Sequence, residues 1–265
     1  LVEYLSNPVK KAMIDLYGAL TVTLHFDSKE LISFMLERAA RELGFYQFVN
    51  FINPVRHEAM KSYAYEISES FGWHAPDVMV HPVGTGGGIW GAWKGYLELR
   101  HLGWIDAVPR MVAVQPEAAA PIVQAFRKGL RSADKHGDPA QTIAQSIAAD
   151  SSFQGGKRVL SAVYESGGFA EAVTDDEILE AMRWLGREGI CAEPASASTL
   201  AAVKRAVTEG RIRSDERVVC VITGSGLKQP QAVQQAAPSS DLMMNANFQD
   251  LIEMLAKIDD NAVRR

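Results

Sequence analysis

Residues 80–95 read V-H-P-V-G-T-G-G-G-I-W-G-A-W-K-G and place four glycines among the five positions Gly84, Thr85, Gly86, Gly87 and Gly88. Backbone this bare, leaving the carboxyl end of an apolar strand and entering a helix, can converge several peptide N–H groups on one point together with the helix dipole. Phosphate is the natural ligand of such a cradle. The stretch matches neither common nucleotide loop, because no Gly-Lys-Ser/Thr follows and Ile89 stands where G-x-G-x-x-G needs its third glycine. A tight strand-to-helix turn without a ligand is the alternative reading. A second group of small and hydroxyl residues, Thr223-Gly224-Ser225-Gly226, ends another apolar run.

These stretches need elements to hold them. Gly18 to Phe26 alternates as a strand, and Ser28 caps a helical pattern through Leu31, Ile32, Met35, Leu36 and Ala39. Tyr46 to Phe51 reads as a strand, and Pro54 opens one helix through Met60, Tyr63, Ile67 and Phe71. Asp77 to Val83 is a strand, Ile89 to Leu102 a helix, Met111 to Gln115 a strand and Ala120 to Phe126 a short helix. Thr174-Asp-Asp-Glu177 before Ile178 is a capping box, which predicts a helix over Asp175 to Arg187. Ser198 to Glu209 is helical and Val218 to Thr223 is a final buried strand. Ala236 to Asn247 reads as a linker, and Phe248 to Ile258 as an amphipathic helix packing on the body or a partner. Alternation of strands and helices predicts an α/β fold of mostly parallel twisted sheets with helices on both faces.

Composition narrows the function. With 265 residues, 47% hydrophobic, the chain can build one large core or two smaller ones. A net charge of −5, with Lys and Arg dispersed, offers no basic field for nucleic acid. No apolar run approaches the roughly 20 residues of a membrane span, and Leu1 to Leu20 is not a secretory signal, so the expected location is cytoplasmic. Cys191 and Cys220 have no ligand or disulfide spacing and are expected as buried thiols, and the six histidines form no metal motif.

Asn50 to Ser62 (NFINPVRHEAMKS), Glu188 to Ser198 (EGICAEPASAS) and Val221 to Pro230 (VITGSGLKQP) stand around the glycine loop in the order and spacing of threonine synthases, which the chain resembles from about Lys10 to Pro230. Pro109 to Phe126, Glu165 to Gly168 and Val173 to Leu179 extend the likeness. The resemblance implies a pyridoxal 5'-phosphate (PLP) enzyme of fold type II, the tryptophan-synthase β group. It implies residues 1–48 as the remainder of a smaller domain, 49–235 as the larger cofactor-binding domain, and 236–265 as a linker and terminal helix. Gly84, Thr85, Gly86, Gly87 and Gly88 then cradle the cofactor phosphate. Thr223 corresponds to the hydroxyl beside the pyridine nitrogen, a neutral partner that leaves the nitrogen largely unprotonated and suits elimination and replacement. Glu193-Pro-Ala-Ser196 resembles the stretch lining the cofactor, with Ser196 or Ser198 as a plain helix cap the equal alternative. Lys61, Lys94 and Lys228 match family lysines, none of them the Schiff-base lysine, and read as solvated or phosphate-side charges.

The family's Ser-Phe-Lys-Asp and Ser-Ser-Gly-Asn motifs have no counterpart here, so the catalytic lysine is absent from these residues. The resemblance therefore implies the carboxy-terminal portion of a longer protein, inactive by itself, whose whole converts an amino-acid substrate. Asn50 and Arg56 are candidate clamps for a substrate phosphate, whereas Phe51 replaces a serine and Gly88 an asparagine. The implied reaction is phosphate elimination from O-phosphohomoserine and water addition to give threonine, in a homodimer. The alternatives are a PLP-dependent β-elimination or β-replacement enzyme on phosphoserine, serine or threonine, and a non-catalytic ligand-binding relic.

Overall fold

A computed structural model describes residues 2–3, 8–24, 38–46, 53–238 and 248–253. The first described elements are strand β1 (Val2–Glu3), helix α1 (Pro8–Leu16) and strand β2 (Thr23–Leu24), with β1 and β2 paired in parallel. The predicted strand Gly18–Phe26 thus contributes Thr23 and Leu24, after a turn at 17–18 and irregular chain at 19–22. The helix through Leu31 to Ala39 and the Tyr46–Phe51 strand, together with Asn50, fall outside the described residues except at their ends: 38–43, with Ala39, is helical and Tyr46 is irregular.

The helix predicted after Pro54 divides into α2 (Pro54–Ala59), capped by Asn53, and α3 (Ser62–Ser70). Both lie against the long helix α4 (Gly87–His101), where the missing side chain of Gly91 admits Met60 and the carbonyl of His57. Among the described residues four strands form the main sheet: β3 (Val78–Pro82), β4 (Arg110–Pro116), β5 (Phe169–Val173) and β6 (Val218–Cys220). All pair in parallel, in the order β5-β4-β3-β6. The expected sheet is present, but its last strand is shorter than Val218–Thr223 and, at one edge, only half-buried.

Strand alternation sends Met79, Met111 and Ala113 to one face and Val78, Val80, Val112 and Val114 to the other. On the first face pack α4, α5 (Pro121–Arg127) and α6 (Lys157–Glu165); on the second pack α7 (Asp175–Arg187), α8 (Pro194–Thr208) and α9 (Pro230–Ala236). β5 escaped the sequence reading because Glu171 interrupts its apolar run. That carboxylate is buried at the sheet edge and held by the guanidinium groups of Arg127, Arg205 and Arg211. An inward-facing charge also discourages a further strand from adding there.

Three local expectations fare differently. Helix α7 has the predicted bounds and its capping box closes both ways: Thr174 Oγ1 accepts from the Glu177 amide, and a Glu177 carboxylate oxygen accepts from the Thr174 amide at 2.8 Å. Cys191, expected buried, is exposed, and Cys220, also expected buried, is half-buried on the edge strand β6, where desolvation still pushes its thiol up to about 11. In the helical residues 248–253 Phe248 is exposed rather than packed on the body.

Because Thr174 supplies both the cap and the entry to α7, Thr174→Ala is expected to lower unfolding free energy by about 1 kcal/mol, within roughly 0.5–2. Urea unfolding followed by circular dichroism checks this; an unchanged midpoint would mean that the cap contributes nothing.

Candidate functional site

The carboxyl ends of β3 and β6, neighbours in the sheet, carry the two stretches that drew attention in the sequence. The loop after β3 is fixed at Val83, whose amide donates to the Val114 carbonyl at 2.8 Å and whose carbonyl accepts from Gln115 Nε2 at 3.2 Å. Gln115 is fully buried, and its Oε1 also caps α5 by accepting from the Ile122 and Val123 amides. The chain then turns through Gly86, which has φ 86° and is the N-cap of α4, with no side-chain cap among the described residues. No acidic residue sits in its first turn. The positive end of a 15-residue helix is thus left to whatever anion approaches it.

The glycines answer to packing as well. A β-carbon at Gly86 would lie 2.0 Å from Val159 Cγ2 of α6, and one at Gly84 would lie 3.2 Å from Ile147 Cα. Gly88 faces the ring of His81, where a β-carbon would come within 2.4 Å of Cε1. The departure from asparagine at position 88 therefore accompanies a histidine that fills the space. His81 is buried, its ring is edge-on to Tyr63, and its Nδ1 donates to the Pro82 carbonyl while Nε2 has no partner among the described residues. Burial pushes its pKa down to about 4, so the ring is neutral at pH 7.

After β6, Thr223 is exposed while the groups behind it are buried. Ser196 Oγ accepts from the amides of Thr223 and Gly224 at 2.9 and 3.2 Å and lies 2.9 Å from Thr223 Oγ1. Thr223 Oγ1 donates to Glu193 Oε1 at 3.0 Å. The other carboxylate oxygen accepts from Ser146 Oγ at 3.2 Å and stands 3.6 Å from Lys10 Nζ, which itself donates to Ser146 Oγ at 2.6 Å. Ser146 is positioned from below: Asp175, in the first turn of α7, accepts from Thr142 Oγ1 and the Ile143 amide, at 2.7 and 2.9 Å. Since Gly84 rests against Ile147 and the Ser146 carbonyl, this one turn touches both the glycine loop and the Thr223 cluster. An anion cradle and an outward-facing hydroxyl, joined at adjacent strand ends, fit a ligand with a phosphate at one end and a polar ring atom at the other.

Residues 1–224 match the family described as pyridoxal-phosphate dependent enzyme. The chain belongs to that family. Its cofactor is PLP, the group to which the glycine cradle and Thr223 are suited. The chain is 42% identical over 229 residues to a threonine synthase of Methanocaldococcus jannaschii, covering 86% of this chain and 56% of that protein. It is 35% identical over 234 residues to a threonine synthase of Mycobacterium tuberculosis, covering 87% and 61%. It thus spans little more than half the length of the curated relatives it matches. Among solved structures, a threonine deaminase isoform 2 from Solanum lycopersicum aligns with TM-score 0.70 at 17% identity, over 89% of this chain and 64% of that one. Serine racemase from Dictyostelium discoideum aligns with TM-score 0.65 at 22% identity, over 84% and 67%. These likenesses establish the fold as that of the fold-type II PLP enzymes.

Of the sequence-derived candidates, Gly84 to Gly88 and Thr223 lie at adjacent strand ends of one sheet. Arg56 is half-buried on α2, beside the amino-terminal half of α4. Lys61 and Lys94 do not reach toward phosphate: Lys61 binds both oxygens of Glu98 at 2.8 Å, and both lysines pair with Glu58. Those ammonium groups hold the Glu58 carboxyl down at about 2. Lys10 and Ser146 were not among the candidates, because each meets Glu193 across a long stretch of sequence with no local motif to mark it.

The fit of His81 to Gly88 predicts coupling. Gly88→Ala alone is expected to destabilise the fold, and the same change on a His81→Ala background is expected to cost less, by about 0.5–3 kcal/mol of interaction free energy. A double-mutant cycle of thermal or urea unfolding measures it, and strict additivity would contradict the contact.

Proposed function

We propose that this chain forms the phosphate-binding and ring-binding side of a PLP-dependent threonine synthase-like lyase. The observation that carries the reading is the linkage of the glycine cradle to the Thr223 cluster through Ser146 and Glu193. The similarity to threonine synthases supplies the reaction class. In this reading the backbone of Gly84, Thr85, Gly86, Gly87 and Gly88 holds the cofactor phosphate against the α4 N-terminus, and Thr223 meets the pyridine nitrogen. The bound cofactor supplies an electron sink for the α-carbon of an amino-acid substrate. Asn50 and Arg56 clamp the substrate phosphate, and the net reaction is elimination of phosphate from O-phosphohomoserine with addition of water to give threonine. Residues 1–48 belong to the smaller domain, 49–235 to the cofactor domain and 236–265 to a linker and terminal helix. The Schiff-base lysine is supplied from outside these residues, and this chain alone is inactive. The working form is a cytoplasmic homodimer; no helix among the described residues is long and apolar enough to cross a membrane.

Phe51 favours a second reading, in which the substrate is phosphoserine, serine or threonine and the chemistry is β-elimination or β-replacement. A phenyl ring cannot donate to a phosphate oxygen where a hydroxyl would. In the full-length protein, Phe51→Ser is expected to raise kcat/KM for O-phosphohomoserine by about one to two powers of ten, the worth of a hydrogen bond to a charged group. Steady-state kinetics against all four substrates tests both readings. Efficient wild-type turnover of O-phosphohomoserine with no gain in the variant would make Phe51 ordinary packing. Cofactor binding without turnover of any of them would leave a ligand-binding relic.

A further inference from the structure

Helices α3 and α4 stop in the same way. Phe71-Gly72-Trp73 ends the first and Leu102-Gly103-Trp104 the second: an apolar residue, a glycine and a tryptophan in each. Both glycines are left-handed, at φ 63° and 72°. Their amides donate to the Glu69 and Arg100 carbonyls at 3.0 and 3.1 Å, and the tryptophan amides donate to the Ser68 and Leu99 carbonyls at 2.7 and 2.9 Å. These are two Schellman ends, one on each of two neighbouring helices. The indoles they present meet edge to face, with the ring centroids of Trp73 and Trp104 4.7 Å apart. This pair is not core: Trp73 is 40% exposed and Trp104 55%, and Phe71 and Leu102 are exposed beside them. Trp73 is itself left-handed, at φ 62°, a conformation that disfavours residues other than glycine. A strained backbone that holds a bulky indole half in water points to a contact beyond the chain.

We propose that the Trp73–Trp104 pair is the centre of an interface between two copies of this chain. The inference rests on the reading of the working form as a homodimer, and adds the surface that forms it. With each whole side chain taken at about 150–250 Å², Phe71, Trp73, Leu102 and Trp104 expose roughly 400 Å² of apolar surface. That is half of the roughly 800 Å² that each partner buries in a stable complex, the share of an apolar centre inside a polar rim. The rim selects the partner. Arg217 stands over the Phe71 ring at 5.6 Å and 3.9 Å from Asp77, while exposed Arg100 and Asp106 flank Leu102 and Trp104 in the chain. A partner of a single charge sign would meet repulsion from half of these groups. A two-fold contact lets each copy supply both halves of every ion pair, which a rim of adjacent opposite charges suits. The patch lies at the amino ends of β3, β4 and β6, so a copy seated on it leaves the loops at the carboxyl ends open to ligand.

Sedimentation of the full-length protein over a dilution series tests this in wild type, Trp104→Glu, Trp73→Gly and Trp184→Glu, the last a control indole exposed on α7. Wild type is expected to be a dimer whose dissociation constant rises at least about 30-fold in Trp104→Glu and in Trp73→Gly, the size of an interface hot spot, and stays unchanged in Trp184→Glu. Glycine suits φ 62°, so at dissociating dilution the Trp73→Gly monomer is expected to melt no lower than the wild-type monomer. A tryptophan with only a structural role would show the reverse, lost stability with no change in assembly. A wild-type dimer with the same dissociation constant in both patch variants would overturn the proposal and leave the homodimer reading standing. A wild type that stays monomeric at every concentration would overturn both. Hydroxyl-radical footprinting reads the two indoles separately: their protection in the diluted monomer would mean that another part of the same chain covers them, and also overturns the proposal.

Discussion

A carboxylate removed from water has to be met by donors, and Glu193 is met from three other segments. Lys10 comes from α1, Ser146 from the turn before α6, Thr223 from the loop after β6, and Glu193 itself opens α8 as its N-cap residue. Separately these segments are loops and helix ends with little apolar surface to hold them. Converging on one buried charge, they place an exposed threonine and a serine-bearing turn at the carboxyl end of a parallel sheet. Asp175 extends the same logic outward by fixing the 142–143 backbone to the first turn of α7.

The glycine loop obeys a second constraint, that backbone must be close on two sides. Toward the interior, Val159, Ile147 and His81 leave no room for β-carbons at Gly86, Gly84 and Gly88. Toward the outside, the N-terminus of α4 has no side-chain cap among the described residues, and the proposed anion site lies there. A valine at Gly86 would therefore disturb the fold as well as any bound phosphate, so a side chain added there does not by itself separate the two demands. The tight turn and the anion cradle are not competing accounts of this loop. Packing supplies the reason for glycine on one side of the backbone, and the proposed phosphate site lies on the other.

What could be read from the sequence follows from how local each interaction is. The capping box of α7 spans four residues, and its helix has the predicted bounds. The glycine loop was visible because glycine density between strand and helix is itself a local signal. Thr223 was given a role only through resemblance, since a threonine ending a strand is common. β5 was hidden by Glu171, a charge in a core strand that makes sense only once three arginines from other elements surround it. Lys10 and Ser146 were hidden for the same reason, and so was the fit of His81 to Gly88. Long-range polar contacts leave no period in a sequence, and the part of the site that rests on them had to be seen in three dimensions.

The central claim is that the glycine loop and the Thr223 cluster are two ends of one cofactor site. Crystals of this chain grown with PLP test it directly through difference density for the ligand. The account predicts phosphate density at the amides of Gly84 to Gly88, before the first turn of α4, with the pyridine nitrogen against Thr223 Oγ1. A ligand whose phosphate lies elsewhere on the protein, or whose ring is turned away from Thr223 while the phosphate sits in the loop, would contradict it.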